Sequence, residues 1–97
     1  MSTAFIAVLK VKPDMVEQFE QAQTELSKFA NDDEPGVFVY DLIRQQDDPY
    51  TYVCYARFKD EAAFDEHMSA EPHDHLVPPI LESLADEMQL TMYHHVA

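Results

Sequence analysis

The residue best suited to chemistry in this chain is His67, which lies just beyond a run of β-forming residues. That run ends at Phe58, and Asp60 then opens a short helix that carries His67 on its apolar side. An imidazole titrates near neutral pH, and a seam between helix and sheet is where a small domain can form a pocket. His67 is therefore the candidate general base. A structural, hydrogen-bonded histidine is an equally good interpretation of the sequence.

Tyrosines and one arginine in the neighbouring strands are candidates to assist such a base. The tyrosines are Tyr40, Tyr52, Tyr55 and Tyr93. A phenolic hydroxyl can orient a substrate hydroxyl, the ring can stack on a substrate, and Arg57 can stabilise an oxyanion. Alternation places Tyr52 and Phe58 on one face of their strand, and Tyr55 and Arg57 on the other. Alternation alone does not decide which face meets the helices, and packing within the sheet is the commoner role of such tyrosines.

The remaining histidines and the single cysteine predict neither a metal site nor thiolate chemistry. His94 and His95 are neighbours on a predicted strand and point to opposite faces, so they cannot easily chelate one ion. The run His73-Asp-His75 resembles a metal site only superficially. Cys54 lies in a predicted strand as a small apolar filler, and a lone cysteine excludes an internal disulfide.

Composition and charge bound the class of protein. The 97 residues, of which 46% are hydrophobic, predict a single domain over 1–97 with one core. A net charge of −13, with only 6 Lys and Arg, argues against nucleic acid and anionic membranes as partners. The first residues lack the basic region of a signal peptide, and no apolar run approaches membrane-spanning length. We therefore expect a soluble, cytoplasmic protein.

Hydrophobic periodicity predicts the elements that must position His67. Apolar or alternating segments predict strands over 3–12, 37–46, 50–58 and 88–96. A stripe of apolar residues at helical spacing predicts one helix from Pro13 to about residue 31, and a second helix covers 60–69. Asp47-Asp48-Pro49 predicts the turn between the second and third strands.

Two local predictions rest on proline and glycine. Proline is tolerated in the first turn of a helix, so Pro78-Pro79 predicts a third helix that starts there and ends near Glu87. The preceding stretch 71–75 is then predicted to be a loop or a distorted turn. Gly36 is the only glycine in the chain, and we expect its backbone to adopt a conformation that other residues resist.

The predicted order of elements, β-α-β-β-α(α)-β, is that of a ferredoxin-like α+β fold with a four-stranded antiparallel sheet. Helices in this arrangement cover one face of the sheet, yet the segment 3–12 is apolar on both faces. An uncovered apolar face of that size is unusual on a soluble monomer. We therefore expect a homodimer with sheets packed face to face. A monomer with a partly apolar sheet is the alternative.

Four short motifs occur in order across nearly the whole chain. They are Val11-Lys-Pro13 followed by Phe19; Glu34-Pro-Gly36 followed by Tyr40; Asp47-Asp48-Pro49; and Phe58-Lys-Asp-Glu-Ala-Ala-Phe64-Asp-Glu-His67. Together they resemble the antibiotic-biosynthesis-monooxygenase family of dimeric α/β barrels. The resemblance implies small enzymes that oxidise quinols or polyketide-derived aromatics with dioxygen, without metal or flavin. The family also includes haem-degrading enzymes, an isomerase and members with no known catalysis.

The resemblance carries further implications for the site. It implies that Phe58 faces inward, which favours Tyr52 over the residues of the opposite face. The expected site has His67 as catalytic base, no cofactor, and substrate-binding side chains from Tyr52, Tyr40, Phe64 and Phe58. Many relatives carry an acidic residue where this chain has Ala56, so we expect His67 to lack that carboxylate, with Asp41 as a candidate substitute. The haem-degrading branch fits poorly, because the chain has no tryptophan and Val77 stands where an iron ligand is needed.

Two classes of function follow. The first hypothesis is a cofactor-independent monooxygenase that acts with dioxygen on a quinol-like or polycyclic phenolic small molecule. The second is a non-catalytic dimeric protein of the same fold that binds a small ligand or serves in stress. An isomerase of a small phosphorylated metabolite is less attractive, because a phosphate needs arginine or lysine in the pocket and the chain is strongly acidic.

Overall fold

The computed structural model describes residues 2–97, which fold into four strands and three α-helices. In chain order the elements are β1 (Thr3–Lys10), a 3₁₀ turn (Pro13–Met15), α1 (Val16–Asp33), β2 (Val37–Arg44), β3 (Thr51–Phe58), α2 (Glu61–Ser69), α3 (Glu71–Glu82) and β4 (Gln89–His94). The four strands, α1 and α2 lie where the sequence predicted them, to within about three residues at each end. Across the described residues, no helix has both the length and the apolar character needed to cross a bilayer.

The strands form one antiparallel sheet in the order β2-β3-β1-β4. The predicted ferredoxin-like α+β fold is therefore confirmed. In the register of the two central strands, Phe5 lies opposite Ala56 and Ala7 lies opposite Cys54. These residues share the face that the helices cover, since directly opposed residues point to the same side of a sheet.

The core lies between this face and the helices. Helix α1 contributes a buried stripe of Phe19, Ala22, Leu26 and Ala30, spaced as an amphipathic helix requires. From β3, Tyr52 and Phe58 are both buried on the helix side, so the expected inward orientation of Phe58 is correct. Removing a large apolar side chain of this kind from water stabilises the fold by about 1.5–3 kcal/mol.

Helix α3 differs from the prediction. It begins at Glu71, so 71–75 is helical rather than a loop, and Pro78 and Pro79 lie inside the helix instead of opening it. These prolines remove backbone donors that would bond to the carbonyls of Asp74 and His75. Both of those residues are exposed, so water can satisfy their carbonyls. The helix ends at Glu82, five residues before the predicted end near Glu87.

Gly36 is required for a reason other than the predicted one. Its φ angle is not positive, so the backbone there is open to other residues. The constraint is contact with α2: a Cβ atom on Gly36 would lie 2.5 Å from the Cβ of Ala63. The carbonyl of Gly36 also accepts a hydrogen bond from the backbone N–H of Lys59 at 2.8 Å. The absent side chain lets the start of β2 lie directly against α2.

The face of the sheet away from the helices is uncovered and largely apolar. At its centre Val53 lies opposite Val8 on β1 and Ile43 on β2. Phe38 and Tyr93 expose about half of their surface at either side. The structure therefore agrees with the sequence in leaving one apolar sheet face without helices.

Candidate active site

Helix α2 positions His67 in its last turn. The side chain of Asp60 caps the helix by accepting a hydrogen bond from the backbone N–H of Ala63 at 2.8 Å, as predicted. Ala63 and His67 are four residues apart and are the buried residues of the helix. His67 has 0% of its surface exposed, which places its ring at the seam between α2 and the sheet.

The buried ring of His67 is held by a carboxylate. Its Nδ1 lies 2.5 Å from Oε1 of Glu34, and the two side chains are only 1% and 12% exposed. A carboxylate oxygen accepts hydrogen bonds, so Nδ1 of His67 carries a hydrogen and donates a hydrogen bond to Glu34. In the neutral ring Nε2 is then the acceptor. That atom is buried and has no hydrogen-bond partner among the described residues.

His67 lacks a carboxylate at position 56, as expected, and Glu34 instead of Asp41 takes that place. Ala56 is fully buried on the helix side of β3 and offers no acidic group, as the sequence says. Asp41, the candidate substitute, is exposed on β2 and pairs with Tyr55 on the opposite face. The acid comes instead from the end of α1, where Glu34 follows the last helical residue. From the sequence, Glu34 is recognisable only as part of the motif Glu34-Pro-Gly36.

Aromatic rings enclose His67. The ring centroids of Tyr40 and Phe58 lie 4.9 Å and 5.5 Å from that of His67, and His73 approaches edge-on at 5.1 Å. Phe64 packs behind this group, 5.4 Å from Phe58. His73 was missed as a site residue because 71–75 was predicted to be a loop. Its spacing from Val77 and Ile80 along one helical face was the available signal.

A cavity of about 130 Å³ lies beside His67, between the sheet and the helices. Its polar lining consists of Gln23, Tyr40, Cys54, His67 and His73, and the other lining residues are apolar. The structure therefore brings the predicted residues His67 and Tyr40 to one cavity. Phe58 and Phe64 support His67 from behind and are not among the lining residues.

Burial shifts the pKa of three polar groups of the cavity toward the neutral form. Removal from water raises the pKa of the Tyr40 hydroxyl well above its usual range, and the neighbouring Cys54 adds to this effect. Burial likewise raises the pKa of the Cys54 thiol to about 12. Both groups therefore carry their protons at neutral pH, and Tyr40 offers the cavity a hydrogen-bond donor. The pKa of His73 is lowered, first by burial and then by its neighbour His67.

Tyr52 lies outside the cavity. Its ring packs on Phe19 with centroids 4.7 Å apart, and its hydroxyl donates to Glu20 near the surface. On the opposite face of the sheet, Arg57 contacts Nε2 of His95 at 2.8 Å, far from the helices. Tyr52, a predicted substrate contact, therefore does not share the cavity with His67. Arg57 lies on the other face of the sheet and does not line the cavity either.

The arrangement can remove a proton from a small, largely apolar molecule. Nε2 of His67 is a buried acceptor with no partner among the described residues, and Glu34 opposes the positive charge that would form on the ring. Within residues 2–97, no three His, Cys, Asp or Glu side chains converge in a manner suited to holding a metal ion.

Solved structures share this fold over nearly their full length. A protein of Caulobacter crescentus CB15 named for the antibiotic biosynthesis monooxygenases superposes with a TM-score of 0.93 at 21% identity, covering 99% of this chain and 91% of that one. A second structure with that name gives 0.89 at 27% identity, with 98% and 99% covered. SnoaB from Streptomyces nogalater, a cofactor-independent oxygenase solved as the mutant N63A, gives 0.84 at 18% identity, with 97% and 92% covered.

The sequence itself was compared with protein families and with curated proteins. None of the curated proteins matches it. The family described as antibiotic biosynthesis monooxygenase matches residues 3–78, which include all of β1, α1, β2, β3 and α2 together with Glu34 and His67. This match covers most of the chain, so the protein belongs to the antibiotic biosynthesis monooxygenase family.

Proposed function

We propose that this protein is a cofactor-independent monooxygenase that oxidises a quinol-like or phenolic small molecule with dioxygen, and that His67 is its general base. The observation that carries the proposal is the state of His67: fully buried, held at Nδ1 by Glu34, and free at Nε2 beside an apolar cavity. SnoaB, a cofactor-independent oxygenase, has the same fold, which supports this reaction class.

The first step is proton transfer. A phenol or quinol donates an electron to dioxygen far more readily as its anion, so a base is needed inside the cavity. Nε2 of His67 takes the hydroxyl proton, and the carboxylate of Glu34 stabilises the resulting imidazolium through the Nδ1–H bond. A positioned base of this kind accelerates a reaction by about 10²–10⁴-fold.

The substrate itself supplies the electrons. In the simplest balance, a hydroquinone and dioxygen give a hydroxyquinone and water: one oxygen atom forms a bond to a ring carbon, and the other leaves as water. Three hydrogens leave their positions in the substrate, two from the hydroxyl groups and one from the ring. Two of them are found in the water and one in the new hydroxyl group. No external reductant is then required.

The lining of the cavity suits an aromatic substrate. Tyr40 remains protonated, so its hydroxyl can donate to the oxygen of the bound anion. The aromatic rings around His67 keep bulk water from the reacting atoms, which protects a reactive oxygen intermediate. We place Tyr40 in contact with the substrate, and Phe58 and Phe64 behind His67. Tyr52 is left out of the proposed site because it lies outside the cavity.

We propose further that the working unit is a homodimer. One face of the sheet is uncovered and carries Val8, Ile43 and Val53 side by side on three strands. A second copy packed sheet to sheet would remove this surface from water.

A ligand-binding protein without catalysis is the second candidate. The same cavity and the same buried histidine would bind a phenolic molecule without oxidising it. An isomerase of a phosphorylated metabolite is less well supported, because the lining residues include no lysine or arginine to bind a phosphate.

Oxygen consumption with a panel of quinols and phenols tests the proposal. We expect consumption that needs both substrate and protein, and a fall of about 10²-fold or more in kcat for His67→Ala and for the bulkier His67→Gln. Anaerobic incubation should leave the substrate unchanged. Circular dichroism establishes that each variant is folded.

His75→Ala is the matched control, because this histidine lies on the surface of α3 with 72% of its side chain exposed. It should retain wild-type activity. Equal turnover by wild type and both folded His67 variants would overturn the role of His67. Tight binding of the same phenols without any oxygen uptake would support the ligand-binding alternative instead.

A further inference from the structure

The residues that line the cavity are sorted by depth. His67, Tyr40, Gln23 and Cys54 are at most 4% exposed and form its inner end. Three apolar lining residues, Met68, Leu81 and Leu90, are 42%, 49% and 38% exposed, and therefore mark its mouth. These four polar groups lie deep, among apolar lining residues that are equally buried, and the most exposed lining residues are apolar.

The volume of the cavity fits one ring. It is about 130 Å³, and an engineered protein cavity of about 150 Å³ holds a single benzene molecule. Two or three fused rings would need a larger space or would extend out through the mouth. A single ring can place its hydroxyl group near Nε2 of His67 while the opposite ring position faces the mouth.

The apolar surface continues beyond the mouth. Leu90 and Met92 lie on the same face of β4, since they pair with Ala7 and Phe5 on β1, and Met92 is 45% exposed. Met68 and Leu81 approach from α2 and α3. None of the cavity-lining residues is acidic or basic apart from histidine. This rim, defined as Met68, Leu81, Leu90 and Met92, consists of partly exposed apolar side chains that can contact hydrocarbon.

We infer that the substrate is a single-ring phenol that carries a flexible alkyl chain para to its hydroxyl. With dioxygen such a phenol gives an ortho-quinone and water, since one oxygen atom bonds to the ring carbon next to the hydroxyl and the other leaves as water. The ring occupies the cavity with its hydroxyl at His67, and the first methylene groups of the chain lie on the rim. The inference rests on the proposed function for the role of the hydroxyl. It narrows the substrate class, because a fused polycyclic phenol is larger than the cavity and lacks the flexible chain that the rim would contact.

Equilibrium binding of a series of 4-alkylphenols, from phenol to 4-hexylphenol, tests the inference without turnover. Measured anaerobically by calorimetry, Kd should fall by about two- to fourfold for each added methylene until the chain outgrows the rim, as expected for burial of hydrocarbon. A naphthol of equal carbon number should bind more weakly than the matching alkylphenol. A Kd that does not change with chain length, or tighter binding of the naphthol, would overturn the inference.

Rim variants supply the second arm. Leu81→Gln combined with Leu90→Gln should flatten the dependence on chain length, so that 4-hexylphenol loses more affinity than phenol does. Val96→Gln is the control, because Val96 is an exposed apolar residue, 92% accessible, that does not line the cavity. If the double variant instead weakens self-association and leaves the chain-length dependence intact, the rim is a protein interface and the inference is wrong.

The binding series also separates this inference from the proposed function. Alkylphenols that bind with the expected dependence but consume no oxygen would support the substrate class and overturn the oxygenase. Rapid oxidation of polycyclic quinols together with no dependence on chain length would support the oxygenase and overturn the substrate class.

Discussion

At the scale of single residues, the contact between Glu34 and His67 decides whether this site can do chemistry. The two residues are 33 positions apart, and their contact buries both side chains almost completely. A buried imidazole without a carboxylate would have no group to stabilise its charged form. Glu34 therefore fixes which ring nitrogen carries the proton and supports the ring when it becomes charged.

Replacing Glu34 with glutamine should separate these two roles. An amide oxygen can still accept the Nδ1–H bond, but its negative charge is lost, so we expect kcat to fall by about tenfold or more while KM changes little. The free energy of unfolding should fall by about 1 kcal/mol, because a charge-assisted hydrogen bond becomes a neutral one. Oxygen uptake and urea denaturation measure the two effects.

A second His–Glu pair in the same protein provides the control. Glu71 and His75 are in contact at 3.3 Å on the surface of α3, with side chains 85% and 72% exposed. Glu71→Gln should leave activity unchanged, because an exposed pair of this kind contributes little. Indistinguishable behaviour of Glu34→Gln and Glu71→Gln would contradict the role assigned to Glu34.

The sequence predicted His67 but not its partner, for a physical reason. Asp60 caps helix α2, and the apolar periodicity of the helix places His67 on its buried side. Both signals are local in the sequence. Glu34 reaches His67 only because two distant segments meet in the folded chain. No local pattern distinguishes Glu34 from the acidic residues beside it, Asp32 and Asp33, which are both exposed.

At the scale of elements, the approach of α2 to the start of β2 sets the geometry of the site. Gly36 lies against Ala63, one turn before His67 and two residues after Glu34. Any side chain at position 36 must push α2 away from the Glu34 segment. The contact between a glycine and an alanine thus holds the two halves of the His–Glu pair together.

Gly36→Ala should therefore lower the free energy of unfolding by about 1–3 kcal/mol, the usual cost of overpacking. The double variant Gly36→Ala/Ala63→Gly tests the mechanism, because it removes the Cβ atom that lies 2.5 Å from the new one. It should be no less stable than Ala63→Gly alone, which costs about 1 kcal/mol of helix propensity. Additive losses in denaturant melts would show that the close approach is not the cause.

Helix α3 contributes a titrating residue. Burial and the neighbouring His67 lower the pKa of His73 below the ordinary 6.5, while Asp74 opposes the shift. As pH falls, the unfolded chain therefore binds the proton of His73 before the native protein does. The stability that depends on neutral His73 is present above about pH 6.5 and is lost as pH falls through the native pKa.

Comparison of wild type with His73→Gln isolates this contribution. Between about pH 7.5 and 5.5, the free energy of unfolding of the wild type should fall more steeply than that of the variant. His75→Gln, on the exposed side of α3, should behave like the wild type. Parallel curves for wild type and His73→Gln would show that His73 does not couple to folding.

Helices and strands were predictable where the pattern that indicates them lies within a few neighbouring residues. The strands and the first two helices follow from periodicity and caps, and all of them occur where expected. The start of α3 is harder to predict, because Pro78 and Pro79 indicate a helix start while the spacing of His73, Val77 and Ile80 indicates a helix that is already formed. Exposure of the carbonyls that lose their donors allowed the helix to continue through both prolines.

At the scale of the whole molecule, the order of elements was enough to predict the fold. The family model adds its match over residues 3–78, and the solved structures add the same fold over nearly the full chain. The cavity was not predictable, because its volume depends on how the side chains of three helices and the sheet meet. The sequence could indicate only that the seam near His67 was a suitable place for one.

The net charge determines how the proposed dimer must behave. Each chain carries −13, so two chains together carry −26, and their mutual repulsion opposes association. The attraction comes from the apolar sheet face around Val53, which salt does not weaken. Raising the ionic strength from about 0.01 M to about 1 M shortens the Debye length from about 30 Å to about 3 Å, so the dimer should become tighter in salt.

Val53→Glu is the variant that tests this interface. Its carboxylate would lie at the centre of the uncovered face, between Val8 and Ile43, and would lose its water on association. Sedimentation or light scattering should show a dimer for the wild type and for Val96→Glu, which adds the same charge at an exposed residue near the chain end, and a monomer for Val53→Glu. A wild type that stays monomeric at high salt, or a dimer that Val53→Glu leaves intact, would mean that another surface, or none, joins the chains.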